Sequence, residues 1–142
     1  MDRQTAQATH YLAEQVYTWM ETNLAAYNVG FEYLPQESPA LMLQSEVTDP
    51  VMKTYKSGRV IYQYPFSLYL RMDNADNATR INNQRELQAI ADELTGATLS
   101  LTGFRLRTIE QTGTVRILST EQGMDVCACS FSIEYERSGS HG

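Results

Sequence analysis

The chain has 142 residues, of which 42% are hydrophobic and 10% aromatic, and 11 Lys and Arg against 17 Asp and Glu give a net charge of -6. This length fits one folded domain, and the hydrophobic content argues against intrinsic disorder. The acidic balance disfavours electrostatic binding of nucleic acid, since neutralising phosphates requires a basic surface. No apolar run approaches membrane-spanning length, and the first residues lack the apolar core of a secretion signal.

The first predicted element is an amphipathic helix over residues 5–25. Its apolar side chains recur at three- and four-residue spacing, at Leu12, Val16, Trp19, Met20 and Leu24. Asn28 and Gly30 provide a stop. The extended segments that follow are Phe31 to Leu34, ended by Pro35, and Ala40 to Val47. Residues 48–58 are predicted to form a loop that closes at Ser57-Gly58.

The clearest pattern is the alternation from Arg59 to Met72, which predicts a half-buried strand. One face carries the apolar and aromatic side chains Val60, Tyr62, Tyr64, Phe66, Leu68, Leu70 and Met72. Pro65 lies within this run and has no N–H to donate. We therefore expect the strand to be at an edge of the sheet or bulged at that residue.

A second helix is predicted from about Ala78 to Leu94, with Gly96 as its stop. Its inward side chains are expected to be Ile81, Leu87, Ile90, Ala91 and Leu94. Strands follow at Phe104 to Gln111 and Val126 to Arg137, and a further one is possible at Val115 to Leu118. This order predicts an α+β fold in which two helices pack on a mostly antiparallel β-sheet. We expect a single domain over residues 1–137 and a flexible tail over 138–142.

The sequence offers little catalytic chemistry, and we expect no catalytic, cofactor-binding or metal-binding residues. Cys127 and Cys129 lie two apart in an apolar strand, so buried thiols are favoured over a metal or redox pair. His10 and Glu14 lie one helical turn apart, but a solvated helix face is favoured over a catalytic or metal pair. The acidic pairs Asp92-Glu93 and Glu134/Glu136 are interpreted as solvated carboxylates, and no phosphate-binding glycine pattern is present.

Tyrosine is the more informative residue type. Tyr62 and Tyr64 fit the core face of the long strand, whereas Tyr55 in the loop and Tyr69 on the opposite face fit an interface. Stacking of these rings on single-stranded bases is a third possibility, but the basic groove that would accompany it is missing.

Two segments carry a resemblance to a known family. The first segment is Tyr55-Lys56-Ser57-Gly58, followed by Gln63-Tyr64-Pro65-Phe66-Ser67-Leu68-Tyr69-Leu70-Arg71. It resembles the minor capsid proteins of tailed bacteriophages and prophages. The second segment is Arg80-Ile81-Asn82-Asn83, which opens a helix and is followed by a hairpin and a last strand that ends in a Tyr. With it, the similarity covers about residues 53–136. The helix is richer in Asn and Gln than this family's pattern.

The resemblance implies a fold akin to tail terminator proteins. Such proteins form a ring, usually hexameric, at the head-proximal end of the tail tube, where they stop tube polymerisation and dock on the head connector. The implied partners are further copies of the chain, the tail tube protein and the head connector protein, within a virion assembled in the bacterial cytoplasm. A tail tube or tail-completion component is the alternative, and a small ligand-binding domain or enzyme is a more distant one.

Charge is unevenly distributed along the chain. Residues 1–50 hold seven acids and one Arg, residues 51–90 six bases and three acids, and residues 91–142 four bases and seven acids. A ring needs one patch on each subunit to meet a different patch on the next, so the acidic first third of one copy is expected to face the basic middle of its neighbour. Pairing of these charges within one subunit is the alternative. The predicted interface residues are Lys53, Tyr55, Lys56, Arg59, Tyr69 and Arg71.

Overall fold

A computed structural model of the protein describes residues 3–46, 49–121 and 123–137, with side chains from residue 11 onward. Within these ranges the chain forms two helices and seven strands. In chain order they are α1 (Arg3–Asn23), β1 (Asn28–Phe31), β2 (Ala40–Ser45), β3 (Val51–Thr54), β4 (Val60–Asp73), α2 (Asn77–Thr95), β5 (Phe104–Gln111), β6 (Arg116–Glu121) and β7 (Met124–Arg137). The predicted flexible tail, 138–142, lies outside the described residues.

The strands form one mixed sheet in the order β1-β2-β4-β7-β5, to which β3 is added beside β4 and β6 beside β7. β1 and β2 run parallel, and the other described pairs are antiparallel. The predicted α+β class, with two helices on a mostly antiparallel sheet, is confirmed.

The two longest strands, β4 and β7, form the centre of the sheet. They pair without a break from Tyr62 opposite Tyr135 to Asp73 opposite Met124. Because side chains alternate along a strand, one face of this pair is almost entirely apolar. Its buried members are Tyr62, Tyr64, Phe66, Leu68, Leu70, Cys127, Cys129, Phe131, Ile133 and Tyr135.

Both helices cover this same apolar face. The predicted stripe of the first helix is buried there at Leu12, Val16 and Met20, and at Leu24 just after α1 ends, whereas Trp19 is only partly buried. The residues that α2 contributes to the same core are Leu87, Ile90, Ala91 and Leu94. Ile81, also predicted to face inward, is 51% exposed. α1 lies beside β1, whereas α2 packs on β7 and β5. The opposite face of the sheet, which carries Ser67, Tyr69, Ser130 and Ser132, therefore has neither described helix over it.

Pro65 was expected to lie in an edge strand or at a bulge. β4 is instead central, and its register with β7 continues through Pro65 opposite Ser132. On the other side of β4, however, β3 pairs with residues 60–62 and β2 with residues 66–71, so Pro65 lies between the two partners. The Gln63 N–H points to that side of β4 and donates to the Pro50 carbonyl oxygen. Pro65 has no N–H, and the position of the missing donor faces the gap between β3 and β2, where no strand hydrogen bond is lost.

The first strand begins earlier than predicted. Asn28 and Gly30, expected as a helix stop, lie inside β1, and the predicted strand Phe31 to Leu34 is wrong beyond Phe31. Gly30 is needed for a close approach, because a Cβ atom there would lie 2.3 Å from the Tyr33 carbonyl oxygen. Glu32 then turns the chain with a φ of 63°.

Two short strands extend the long ones. The predicted loop 48–58 contains β3, which pairs with the start of β4, although Val47 and Thr48 lie outside the described residues. The possible strand at Val115 to Leu118 is present as β6 and continues to Glu121. Each short strand has a register shift, at Met52 in β3 and at Leu118 in β6. These shifts are β-bulges, which limit how far an edge strand can continue its pairing.

Candidate functional site

The β3–β4 hairpin carries four of the six predicted interface residues. Tyr55 N–H donates to the Arg59 carbonyl oxygen at 2.8 Å, and Gly58 N–H donates to the Tyr55 carbonyl oxygen at 2.9 Å. Gly58 has a φ of 92°, a backbone conformation that side chains disfavour. This tight turn brings Lys53, Lys56 and Arg59 to one end of the sheet.

Tyr55 organises the positive charge of this hairpin. Lys53 Nζ lies 4.8 Å from the centre of the Tyr55 ring, and Arg59 Cζ lies 5.4 Å from it. Such cation–π contacts hold cations over an aromatic face without neutralising them. Lys56 is exposed, and among the described residues it forms no ion pair. The hairpin thus presents a basic surface with one aromatic ring at its centre.

Arg59 is bound inside the subunit rather than directed only outward. Its Nε donates to Glu136 Oε2 at 2.6 Å and its Nη2 to Glu136 Oε1 at 3.1 Å, while Arg105 donates to the same carboxylate. Hydrogen bonds from Arg59 and then Arg105 lower the pKa of Glu136 from 4.5 to about 2. The alternative of charge pairing within one subunit is therefore correct for Arg59.

Glu136 was expected to be solvated, and that expectation is wrong. Its side chain is 7% exposed, because it lies opposite Arg105 between two guanidinium groups. The sequence contains a pattern that could have indicated this ion pairing. Arg105 and Arg107 alternate on one predicted strand, and Glu134 and Glu136 alternate with the opposite charge on another. Arg107 lies 3.7 Å from Glu134 in the same arrangement.

Tyr69 and Arg71 do not belong to the hairpin surface. Tyr69 lies ten residues beyond Arg59, which corresponds to about 33 Å along a strand. It is half-buried on the uncovered face of the sheet, between Met42 and Ala128. Arg71 donates from Nη1 to the Pro35 carbonyl oxygen at 2.7 Å, which ties β4 to the loop after β1. The six predicted residues thus form two separate groups.

The sheet has two free lateral edges, each built from two strands. Tyr62 pairs with β3 on one side and β7 on the other, so β3 lies on the same edge of β4 as β2 and β1. Met124 likewise pairs with β4 and β6, which places β6 on the edge that also holds β5. One edge is therefore β1 with β3, and the other is β6 with β5.

β1 and β6 lie at the same level on opposite edges. Register partners run across the sheet from Val29 through Leu41, Leu70 and Cys127 to Ile117. Four strand spacings separate the two ends of this row, or about 19 Å. All six residues of β6 are exposed, including Ile117 and Leu118.

An apolar groove lies beside β1, on the face that the helices cover. It has a volume of about 310 Å³ and is lined by Glu14, Tyr17, Phe31 and Tyr33. Tyr17 and Phe31 meet edge to face with their ring centres 6.0 Å apart. The alternation pattern did not indicate this groove, because it joins a helix to an edge strand and a loop.

The acidic residues near this groove have no basic residue close to them in the sequence. Between residues 4 and 52 the chain has no Lys or Arg, whereas it has Glu14, Glu21, Glu32, Glu37, Glu46 and Asp49. A second, more open cavity of about 650 Å³ adjoins the same region and is lined in part by Glu21, Tyr33 and Glu37. The β1 edge is thus both aromatic and acidic.

The end of the sheet opposite the hairpin has its own buried carboxylate. Asp125 accepts a hydrogen bond from Asn74 Nδ2 at 2.6 Å and lies 3.3 Å from Arg80 Nε. Nearby, the buried Asn83 donates to the Asp73 carbonyl oxygen at 2.8 Å. These contacts attach α2 to the ends of β4 and β7, which makes them structural.

The two cysteine thiols lie in the core of the sheet. Cys127 and Cys129 are buried free thiols, as predicted, and burial raises the pKa of Cys127 and raises that of Cys129 to about 11. Thiols of this kind are poorly reactive. The described residues hold no group of three or more His, Cys, Asp or Glu able to bind a metal ion, and the His10 side chain lies outside them. Within the described ranges, neither helix has the length and apolar composition of a membrane-spanning segment.

Comparison with known proteins gives a match at the level of the fold. No family model matches the sequence, and no curated protein does. Among solved structures, the fold matches a chain of the virion of a native gene transfer agent particle with a TM-score of 0.66 and 21% identity, over 95% of this chain and 99% of that one. A second solved structure, 13% identical over 100% of this chain and 99% of that one, has a TM-score of 0.45. The first likeness establishes a shared fold over nearly the whole of both chains.

Proposed function

We propose that this protein is a virion structural protein of a tailed phage or prophage. In this proposal it is a tail terminator or head–tail joining protein, which caps the tail tube as a ring and docks to the head connector. The observation that carries the proposal is the shared fold with a virion chain, which covers 95% of this chain and 99% of that one. The resemblance of residues 53–136 to minor capsid proteins points in the same direction.

The strand edges support a role in assembly. A closed ring requires two different surfaces on each subunit, one for each neighbour. The sheet offers such a pair, because its two lateral edges carry different strands. Exposed apolar residues occur on both edges, at Val51 and Met52 on one and at Ile117 and Leu118 on the other. Apolar residues in this setting are typical of interaction sites.

The proposed activity is binding rather than catalysis. Glu136, the carboxylate whose pKa is most strongly lowered, is neutralised by Arg59 and Arg105 and holds strands together. The basic hairpin around Tyr55 would contact acidic surfaces of the tail tube or head connector protein, since complementary charge guides association. A hexamer, assembled in the bacterial cytoplasm, is favoured by the resemblance.

Deletion of the gene from a host that produces the particles tests this proposal. Electron microscopy should show heads without tails and tails of uncontrolled length, and a plasmid copy of the gene should restore joined particles. Particles without any tail tube would instead assign the tube role to this protein. Normal particles in normal number would contradict a structural role.

A further inference from the structure

The β6 edge and the groove beside β1 lie on opposite edges of one sheet, and they match in strand direction, in level and in apolar character. We propose that the β6 edge of one copy docks into the α1–β1 groove of the next copy. The inference rests on the proposed ring, because its occupant is a second copy, and it goes further by naming the two surfaces that meet.

Strand direction and register favour this contact. β1 is parallel to β2 and antiparallel to β4, whereas β6 is antiparallel to β7 and so runs in the direction of β4. Placing β6 of one copy beside β1 of the next therefore creates an antiparallel pair. Because β1 and β6 lie at the same level of the sheet, two copies placed side by side bring them together with no shift along the strands.

Side-chain facing supports the same pairing. Ile117 is the register partner of Cys127, which points into the core, so Ile117 lies on the helix-covered face. The groove formed by Tyr17, Phe31 and Tyr33 opens on that face as well. In this register Ile117 lies opposite Val29 and diagonal to Phe31, so it provides an apolar contact at the aromatic groove. Burial of apolar side chains in this way is typical of the centre of an interface.

A second copy is the fitting occupant because both edges belong to the same sheet. Each copy carries β1 and β6 at one level and in opposite directions, so every contact leaves one edge of each kind free for the next copy. The charges do not oppose this contact. Glu14 lines the groove, whereas the acid of β6, Glu121, pairs with Met124 beyond the level of β1. Arg116 is the register partner of Ala128 and lies on the uncovered face.

The same geometry argues against the pairing expected from sequence, in which the acidic first third meets Lys53, Lys56 and Arg59. β1 and β3 lie on the same edge, so side-by-side copies place β3 opposite β5 instead. β5 carries Arg105, which shares Glu136 with Arg59, so the basic hairpin would face another basic strand. The β1–β6 contact leaves this hairpin for a different partner.

Engineered disulfides test the proposal directly. Val29 and Ile117 lie at the same level on the two edges of the sheet, and the native thiols are buried. Under mild oxidation, the double variant Val29→Cys/Ile117→Cys should give a ladder of covalent oligomers on a denaturing gel. A mixture of the two single variants should give covalent dimers and nothing larger. The matched control is Val29→Cys/Met52→Cys, in which Met52 is 42% exposed on β3; it should give no ladder, because β3 and β1 lie on the same edge.

Substitution on β6 provides a second readout that does not depend on oxidation. Ile117→Asp should weaken self-association about tenfold, because it places a carboxylate on the helix-covered face beside an apolar groove that already holds Glu14. Ser119→Asp adds the same charge on the uncovered face and should have much less effect. No ladder, a ladder of equal strength in the Met52 control, covalent dimers from either single variant alone, or equal weakening by the two Asp substitutions would overturn the proposed contact. These results concern only the contact between copies, whereas the gene deletion tests the role in the virion. Failure of the contact and failure of the virion role are therefore distinguishable.

Discussion

Arg59 and Glu136 lie 77 residues apart in the sequence, and two hydrogen bonds of 2.6 and 3.1 Å join them. This bidentate pair connects the start of β4 to the end of β7, and Arg105 adds a contact from β5. The basic hairpin is therefore fixed in position by hydrogen bonds to the central part of the sheet. A surface fixed in this way loses less conformational entropy when it binds a partner.

Replacing Glu136 with Gln should lower the free energy of unfolding by about 1 kcal/mol, since the charge-assisted bonds are lost. The loss is limited because both guanidinium groups are substantially exposed to solvent. Urea unfolding followed by circular dichroism measures it. The control is Glu134→Gln, whose partner Arg107 lies 3.7 Å away and which should change stability by less than about 0.5 kcal/mol.

The contribution of Glu136 should depend on pH in a defined direction. Its folded pKa of about 2 is below the ordinary value of 4.5, so the carboxylate stabilises the fold above that ordinary value. The stability difference between wild type and Glu136→Gln should be constant above about pH 5 and shrink as pH falls towards 2. A difference that stays constant down to pH 2 would show that the ion pair is not its source.

The long central strands could be predicted because every second residue of β4 and β7 is apolar. Pro65 was harder, since its tolerance depends on the gap between β2 and β3, two strands that are distant in sequence. β1 was misplaced because Asn28 and Gly30 are turn formers by preference, and tertiary packing of Gly30 overrides that preference. The α1–β1 groove joins three segments, so no local pattern could indicate it.

Gly30→Ala should destabilise the protein by about 2 kcal/mol, because its Cβ would lie 2.3 Å from the Tyr33 carbonyl oxygen. The loop from residue 33 to 35 must move to relieve this contact, and Arg71 would lose its acceptor at Pro35. Thermal unfolding is the measurement. Gly96→Ala is the matched control, since the nearest atom would lie 3.6 Å away and the φ is -93°. Equal stability of the two variants would contradict the proposed close approach.

Asp76 caps the start of α2, where its carboxylate accepts a hydrogen bond from the Thr79 N–H at 2.8 Å. Asp76→Ala should lower Tm by about 4 °C, whereas Asp76→Asn, which retains an acceptor, should lower it much less. Hydrogen bonds from Thr79 lower the pKa of Asp76, so the benefit of the cap should diminish as pH falls through that pKa. Equal losses for Ala and Asn would exclude the cap.

Cys127 and Cys129 should not react with a thiol reagent at pH 8 while the protein is folded. Both are buried, and burial raises their pKa values, that of Cys129 to about 11. Addition of guanidinium chloride should make both thiols react fully. Rapid modification of the native protein would show that the core face of β7 opens to solvent.

The position of this protein in the particle tests the central claim most directly. Gold-labelled antibody against the purified protein, imaged on intact particles by electron microscopy, should label one site per particle, at the junction of head and tail. Complete particles that carry no label, even after detergent treatment to expose the tail junction, would contradict a role as a virion structural protein. Label along the whole tail would contradict the terminator role.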